Sequence, residues 1–283
     1  MEPMLSIQDA VAKYIDGVVK KKDTSIEKLL IKAFLAGMMV AFGAAASNVT
    51  AHAIENPSLS KLAAGVVFPM GLMMVIFLGA ELFTGDCLMV MAVAERKCPV
   101  ASMCRILALV YIGNLAGGVV MAALNEHIQY DYNGGLLGAY TIKVALTKCS
   151  MSFDQALISG ILCNVLVCIA VMLAFSAKDV ASKLLSAFFI ILLFIANGYE
   201  HCVANMYFVP AGLFAKLDAS YVQLAMDTYG YTAEQMQQLN VVHFLTNNLI
   251  PVTLGNIIGG MFVFGLPLWY VNRSKKESGI RIR

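Results

Sequence analysis

Charge is scarce in this sequence. Lys and Arg number 20 and Asp and Glu 18 among 283 residues, 13% in all, where a soluble domain carries about 25%. A chain so poor in charge lacks the polar shell of a water-soluble domain. The seven cysteines form no CxxC or zinc-ligand spacing, which excludes the usual zinc sites. Cys87, Cys104, Cys163, Cys168 and Cys202 fall in apolar runs, Cys98 beside one, and Cys149 alone in an expected external loop. They read as small packing residues rather than a disulfide framework. The four histidines, His52, His127, His201 and His243, lie at scattered depths and offer no zinc cluster or haem-ligand pair. No metal, cofactor or nucleic-acid partner is expected. Paired Asn-Pro-Ala loops are absent, which argues against an aquaporin-type neutral pore. No cleavable signal is expected, because the first apolar run follows a charged, amphipathic start from Ile7 to Lys32.

What the chain has instead is apolar length. Hydrophobic residues make up 59% and the mean hydropathy is +0.75. Hydropathy places spans at about 30–52, 62–92, 104–124, 154–176, 184–215 and 247–271. The second and fifth are too long for one straight crossing. The expected division is a cytoplasmic N-terminal helical segment over 1–29, a six-helix transmembrane domain over 30–271 and a cytoplasmic tail over 272–283. Cations gather before the first span (Lys13, Lys20, Lys21, Lys22, Lys28), between the second and third (Arg96, Lys97, Arg105), between the fourth and fifth (Lys178, Lys183) and in the tail. The alternate connections hold the acids Glu55, Glu126, Asp131, Asp218, Asp227 and Glu234. The positive-inside bias therefore gives six crossings with both termini cytoplasmic. The expected location is the plasma (inner) membrane, with lipid around the chain.

Both long spans are interrupted by polar residues and glycine: Gly79-Ala80-Glu81-Leu82-Phe83-Thr84-Gly85-Asp86 and Gly198-Tyr199-Glu200-His201-Cys202-Val203-Ala204-Asn205. Carboxylates and non-helical backbone at bilayer depth persist only in a protein interior or along a cavity. The halves also echo one another. Phe34-Leu35-Ala36-Gly37 matches Leu157-Ile158-Ser159-Gly160, and Gly79-Ala80-Glu81 matches Gly198-Tyr199-Glu200. Gly113-Asn114-Leu115-Ala116-Gly117-Gly118 matches Gly255-Asn256-Ile257-Ile258-Gly259-Gly260. Three crossings per half make an inverted 3+3 repeat with helices two and five broken and the transport site between the halves. The small residues of the last pair read as close helix packing. An external insertion, about Lys216 to Thr246, lengthens the second half.

His201 is the strongest single candidate, an ionisable ring at the midplane beside a break. At the first break Thr84 can donate a hydrogen bond to a solute and Leu82 can act as an apolar plug. Thr84 or Asp86 is expected to cap the restarted helix. Glu81 is expected to hold its loop structurally. Asn205 is expected to cap the second restart, with Pro210 in its first turn, and Asn247 and Asn248 to cap the sixth helix. Asn164 needs a partner within the membrane. Lys148 is either an attractor of anions at the outer vestibule or a solvated loop charge.

Gly79–Thr84, Glu200–Met206 and Asn248–Asn256 together resemble the formate/nitrite transporter family across nearly the whole chain. The resemblance implies an aquaporin-like all-α membrane fold, a homopentamer with one pore per protomer, and permeation of small monovalent anions without a cofactor. By position it implies a central histidine at His201, a loop threonine at Thr84 beside Leu82 and Phe83, a vestibule lysine at Lys148 and a pore asparagine at Asn164. It places the apolar constrictions at Phe68, Leu72, Val167 and Phe194. Gly85-Asp86 departs from the small hydroxyl residues of the better-known formate channels, and the hydrosulfide-channel branch is the nearer likeness. Loop-structural roles are expected for Glu81, Glu200, Asp86 and Asn205.

The expected function is a channel for small weak-acid anions, hydrosulfide foremost, with formate or nitrite as alternatives. His201 is expected to protonate the solute between dry constrictions, since desolvating an ion costs several kcal/mol. Proton-coupled transport is the alternative mechanism, and an integral-membrane enzyme using Glu81, Glu200 and His201 is the remote one.

Overall fold

The computed structural model describes residues 4–273. Six of its helices are long and apolar enough to cross a bilayer: α2 (Ile26–Ala51), α3 (Pro57–Leu78), α5 (Val100–Gln129), α7 (Phe153–Ser176), α8 (Val180–Asn197) and α12 (Val241–Asn272). At 1.5 Å per residue the 24-residue α7 alone exceeds the ~30 Å hydrocarbon core. The remaining helices are α1 (Ile7–Lys21), α4 (Phe83–Ala94), α6 (Leu136–Cys149), α9 (Cys202–Ala215), α10 (Ala219–Tyr229) and α11 (Ala233–Gln237). The tail expected over 272–283 lies almost wholly outside the described residues.

Local chemistry explains most of the ends. Asn56 caps α3 with its side chain on Ser58 N and Leu59 N, and Pro57 follows at the first helical position, where its missing N–H costs nothing. Ser152 and Gln155 form a reciprocal capping box at α7. Asp179 accepts from Ser182 N at 2.8 Å and opens α8. Its carboxyl is held below the usual range by the hydrogen bonds from Ser182. Gly79 (φ +60°) ends α3 and Gly198 (φ +71°) ends α8, both in the left-handed region that a side chain strains. A short non-helical stretch follows each before α4 and α9 begin.

The helices approach closely where side chains are smallest. A Cβ on Gly117 would strike Phe34 O, and one on Gly259 would strike Ile161 O, so α5 seats on α2 and α12 on α7 backbone to backbone. Apolar side chains such as Leu78, Ile112, Phe189 and Phe262 are exposed around the outside, a surface suited to a bilayer rather than water.

Two expectations from sequence are corrected here. The connection between the third and fourth spans is the helix α6, packed against α9, so Lys148 and Cys149 end a helix instead of lying in an external loop. Their apolar period is short and was masked by Thr, Lys and Tyr. Asn247 and Asn248 do not cap the sixth span: Asn240 opens α12 by accepting from His243 N at 2.9 Å, and Asn247 and Asn248 lie inside a π-wound turn over Phe244–Leu249, where Asn247 donates instead to Cys149 O at the end of α6 at 3.0 Å.

Candidate functional site

The start of the stretch after Gly79 is held by a side chain of α5. Asn114 of α5 accepts from Phe83 N at 3.0 Å and donates to Ala33 O at 2.7 Å and Glu81 O at 3.0 Å. The stretch after Gly198 is fixed in the same way by Asn256 of α12. It accepts from Cys202 N at 2.9 Å and donates to Gly160 O at 2.7 Å and Glu200 O at 3.1 Å. Both asparagines are fully buried, and each satisfies backbone groups that no helix serves at this depth. Sequence reasoning missed them, although each stands second in the glycine motif that drew attention for packing. An amide amid apolar residues was the available signal.

These staples bring Thr84 and His201 together. Thr84 Oγ1 and His201 Nε2 lie 2.8 Å apart. His201 Nδ1 accepts from Ala204 N at 3.1 Å, making the imidazole the cap of α9. A backbone N–H can only donate, so Nδ1 is unprotonated and the proton of the neutral ring sits on Nε2. Nε2–H then donates to Thr84 Oγ1, and the threonine hydroxyl is left free to donate onward. A protonated ring would face the Ala204 N–H with a second donor at the positive end of a 14-residue helix. The sequence-based expectation of an imidazolium that hands over its proton conflicts with this geometry.

His201 faces a cavity that it lines with Val40, Phe68, Leu72, Leu82, Val167, Ile191 and Phe194, with a volume of about 10 Å³, room for about one water, while Thr84 is fully buried beside the ring. Five of the six apolar residues singled out in the sequence, Phe68, Leu72, Leu82, Val167 and Phe194, thus share one slit. The rings of Phe68 and Phe194 meet edge to face at 5.6 Å. Val40 and Ile191 were not anticipated, being indistinguishable from other aliphatic residues of α2 and α8.

Other candidates lie behind the slit. Phe83 is turned onto Tyr111 at 4.9 Å between centroids, away from the cavity. Asn164 is fully buried and donates to Thr84 O at 3.2 Å and Asn256 O at 2.6 Å, so it is a brace behind the loop and not a pore-facing amide. Lys148 is neither a free vestibule charge nor solvated. Its Nζ pairs with Glu200 at 2.8 and 3.0 Å and lies 5.2 Å from the Phe208 ring centroid. Glu200 also accepts from Asn205 at 2.7 Å and Asn248 at 3.1 Å, which meets its need for partners at this depth. Asn205 is therefore not the cap of α9, and Pro210 lies in the helix interior rather than its first turn. The backbone of α4 begins at Leu82 without any side-chain cap, so neither Thr84 nor Asp86 serves as one.

Asp86 and Glu81 point instead toward α1. Lys21 Nζ contacts Asp86 Oδ1 and Glu81 Oε2, each at 2.5 Å, and Lys32 approaches Glu81 Oε1 at 3.6 Å. Burial acts to lower the Lys21 pKa, but the Asp86 and Glu81 charges outweigh it and hold the amine above its ordinary value. Tyr14 Oη donates to Gly85 O at 3.1 Å. Together these α1 residues border a second cavity of about 330 Å³, on the other side of Leu72 and Leu82 from the slit. No group of three or more His, Cys, Asp or Glu suited to a metal occurs among the described residues.

A family model described as formate/nitrite transporter matches residues 8–270. The chain is 36% identical to the formate channel FocA of Haemophilus influenzae over 229 residues, 80% of this chain and 79% of that one. It is 34% identical to a probable formate transporter of Methanothermobacter thermautotrophicus, covering 88% of this chain and 90% of the relative. A solved pentameric formate channel with formate bound superposes with a TM-score of 0.77 at 31% identity, covering 87% of this chain and 97% of that one. An FNT family ion channel does so with 0.76 at 29%, covering 93% and 98%. These relatives are channels and transporters, not enzymes, and the chain belongs to the formate/nitrite transporter family.

Proposed function

We infer that the chain is a channel for small monovalent weak-acid anions, with the Thr84–His201 pair at its centre. The observation that carries this is one polar side chain, His201, in an otherwise apolar slit, held at 2.8 Å by the buried Thr84 hydroxyl behind it. A dry slit resists a bare ion, but it passes a small solute that is neutral or shares one strong hydrogen bond. His201, which carries its proton on Nε2 and is held by Thr84, supplies that donor. The N-terminus of α9 adds positive potential at the same place. Strong-acid anions such as chloride gain the hydrogen bond but have no neutral form, and are disfavoured.

Hydrosulfide is the solute we favour within this class, because the slit is water-sized and offers few polar groups to a two-oxygen ligand. Formate is the second reading, favoured by the names of the relatives. The matching staples, Asn114 and Asn256, support an inverted repeat whose second and fifth crossings are each broken in two. The pentameric neighbour supports a homopentamer. The cation asymmetry supports a cytoplasmic location for α1 and the 330 Å³ cavity at the plasma membrane. Flux of hydrosulfide, formate, nitrite and chloride into proteoliposomes at several pH values tests the assignment. Chloride flux equal to that of the weak acids would reject it.

A further inference from the structure

Asp86 is a buried carboxylate that the central pair does not use. Oδ1 is engaged by Lys21. Oδ2 accepts no hydrogen bond from any described residue, although Asp86 is only 4% exposed. A buried carboxylate oxygen in this condition costs free energy until something donates to it. Asp86 lines the cavity beneath α1, and Leu72 and Leu82 border both that cavity and the slit. A solute that clears these two leucines therefore arrives beside Asp86. The other ionisable groups around it are committed or cationic. Glu81 has both oxygens in ion pairs, and the Tyr14 hydroxyl donates to Gly85 O. Cys87 and Cys168 bond to the carbonyls of Phe83 and Thr84. Lys13 from α1 and Lys183 from α8 line the cavity with no carboxylate partner among the described residues. The wall thus holds one carboxylate, Asp86, with a buried oxygen that lacks a donor, and two cations able to receive an anion.

We propose that Asp86 is the proton acceptor for the neutral acid leaving the slit, an inference that rests on the weak-acid reading above. The O–H or S–H bond of the acid breaks and its electron pair stays on the departing anion. The proton bonds to Asp86 Oδ2, leaving a neutral carboxylic acid beside Lys21. The anion is drawn toward Lys13 and Lys183 and into water. Asp86 then releases its proton to the vestibule. Passage in the opposite direction reverses these steps, so one proton accompanies each anion.

The test uses the full chain in proteoliposomes, labelled formate as probe, and protein-free vesicles to subtract leak through lipid. Wild-type flux should depend on pH on the α1 side. Asp86→Asn keeps an acceptor for Lys21 but cannot take a proton. Its flux should fall by about a hundredfold, the low end for losing a positioned proton acceptor, and lose that pH dependence. Lys21→Met removes the same ion pair yet keeps the carboxylate, and should retain the dependence. Asp86→Glu should restore both flux and dependence. Wild-type flux and pH profile in Asp86→Asn would overturn the proposal. So would loss of pH dependence in Lys21→Met to the same degree, which would reduce Asp86 to half of a structural ion pair. Absence of facilitated formate and hydrosulfide flux in the wild type would instead overturn the weak-acid assignment itself.

Discussion

Replacing His201 by asparagine separates two jobs that the ring performs at once. Asparagine is among the best helix caps, so its Oδ1 should take over the Ala204 N–H that Nδ1 holds at 3.1 Å. An alanine there would lose about 1 kcal/mol of capping; the asparagine should lose little of it. The shorter amide cannot span the 2.8 Å contact to Thr84 from the same backbone position. Thr84 then loses the donor that orients its hydroxyl, and an anion at the centre loses one charge-assisted bond, worth about 1.5–3 kcal/mol. At about 1.4 kcal/mol per decade, weak-acid flux should fall roughly ten- to hundredfold. The pH dependence should survive, since a ring already neutral contributes no titration. Labelled formate and hydrosulfide flux, measured on both sides of neutral pH in the same liposomes, decides the matter. A variant that folds but becomes indifferent to pH would refute the reasoning and restore an imidazolium as proton donor. Flux within about twofold of wild type would show the hydrogen bond to be idle.

Lys148→Met should destabilise by about 3–5 kcal/mol, because it strands the Glu200 carboxylate. Adding Glu200→Gln should recover much of this in detergent melting, and a single variant as stable as wild type would contradict the pairing. Asn114→Leu and Asn256→Leu should each leave a loop N–H and a loop C=O dry, at about 1–3 kcal/mol apiece. Hydrogen exchange at the amides of Phe83 and Cys202 should accelerate respectively, and unchanged exchange would remove the staples from the account. In a Cys104→Ser background, Lys20→Cys should react with an impermeant thiol reagent only from the cytoplasm and Gln223→Cys only from outside; the reverse would invert the assigned topology.

Much of this was legible in the sequence because membrane burial makes polar residues conspicuous. Six crossings and the interruptions near residues 79–86 and 198–205 follow from what hydrocarbon forbids, whereas the direct contact of Thr84 with His201 was not foreseen. The slit residues came from family resemblance, since Phe68 and Phe194 look like any other apolar residue in their helices. Side-chain partners were the illegible part. Lys148 reads as a solvent-facing cation until Glu200 is found 52 positions away. Asp86 reads as a cap until Lys21, 65 positions earlier, is seen to claim it. Long-range ion pairs leave no periodicity, and the π-wound turns of α12 blur the register from which a cap would be placed.

Each asparagine staple is local to its own half. Asn114 binds Ala33, Glu81 and Phe83, all within the first three crossings, and Asn256 binds Gly160, Glu200 and Cys202, all within the last three. During synthesis the first loop can therefore close before the second half has left the ribosome. The Thr84–His201 contact joins the two halves, and α9 packs on α2, α5 and α6 of the first, so the centre of the path forms only once both are present. A gene cut between them, in the turn that joins α6 to α7, should yield two polypeptides that insert separately and reconstitute one pore.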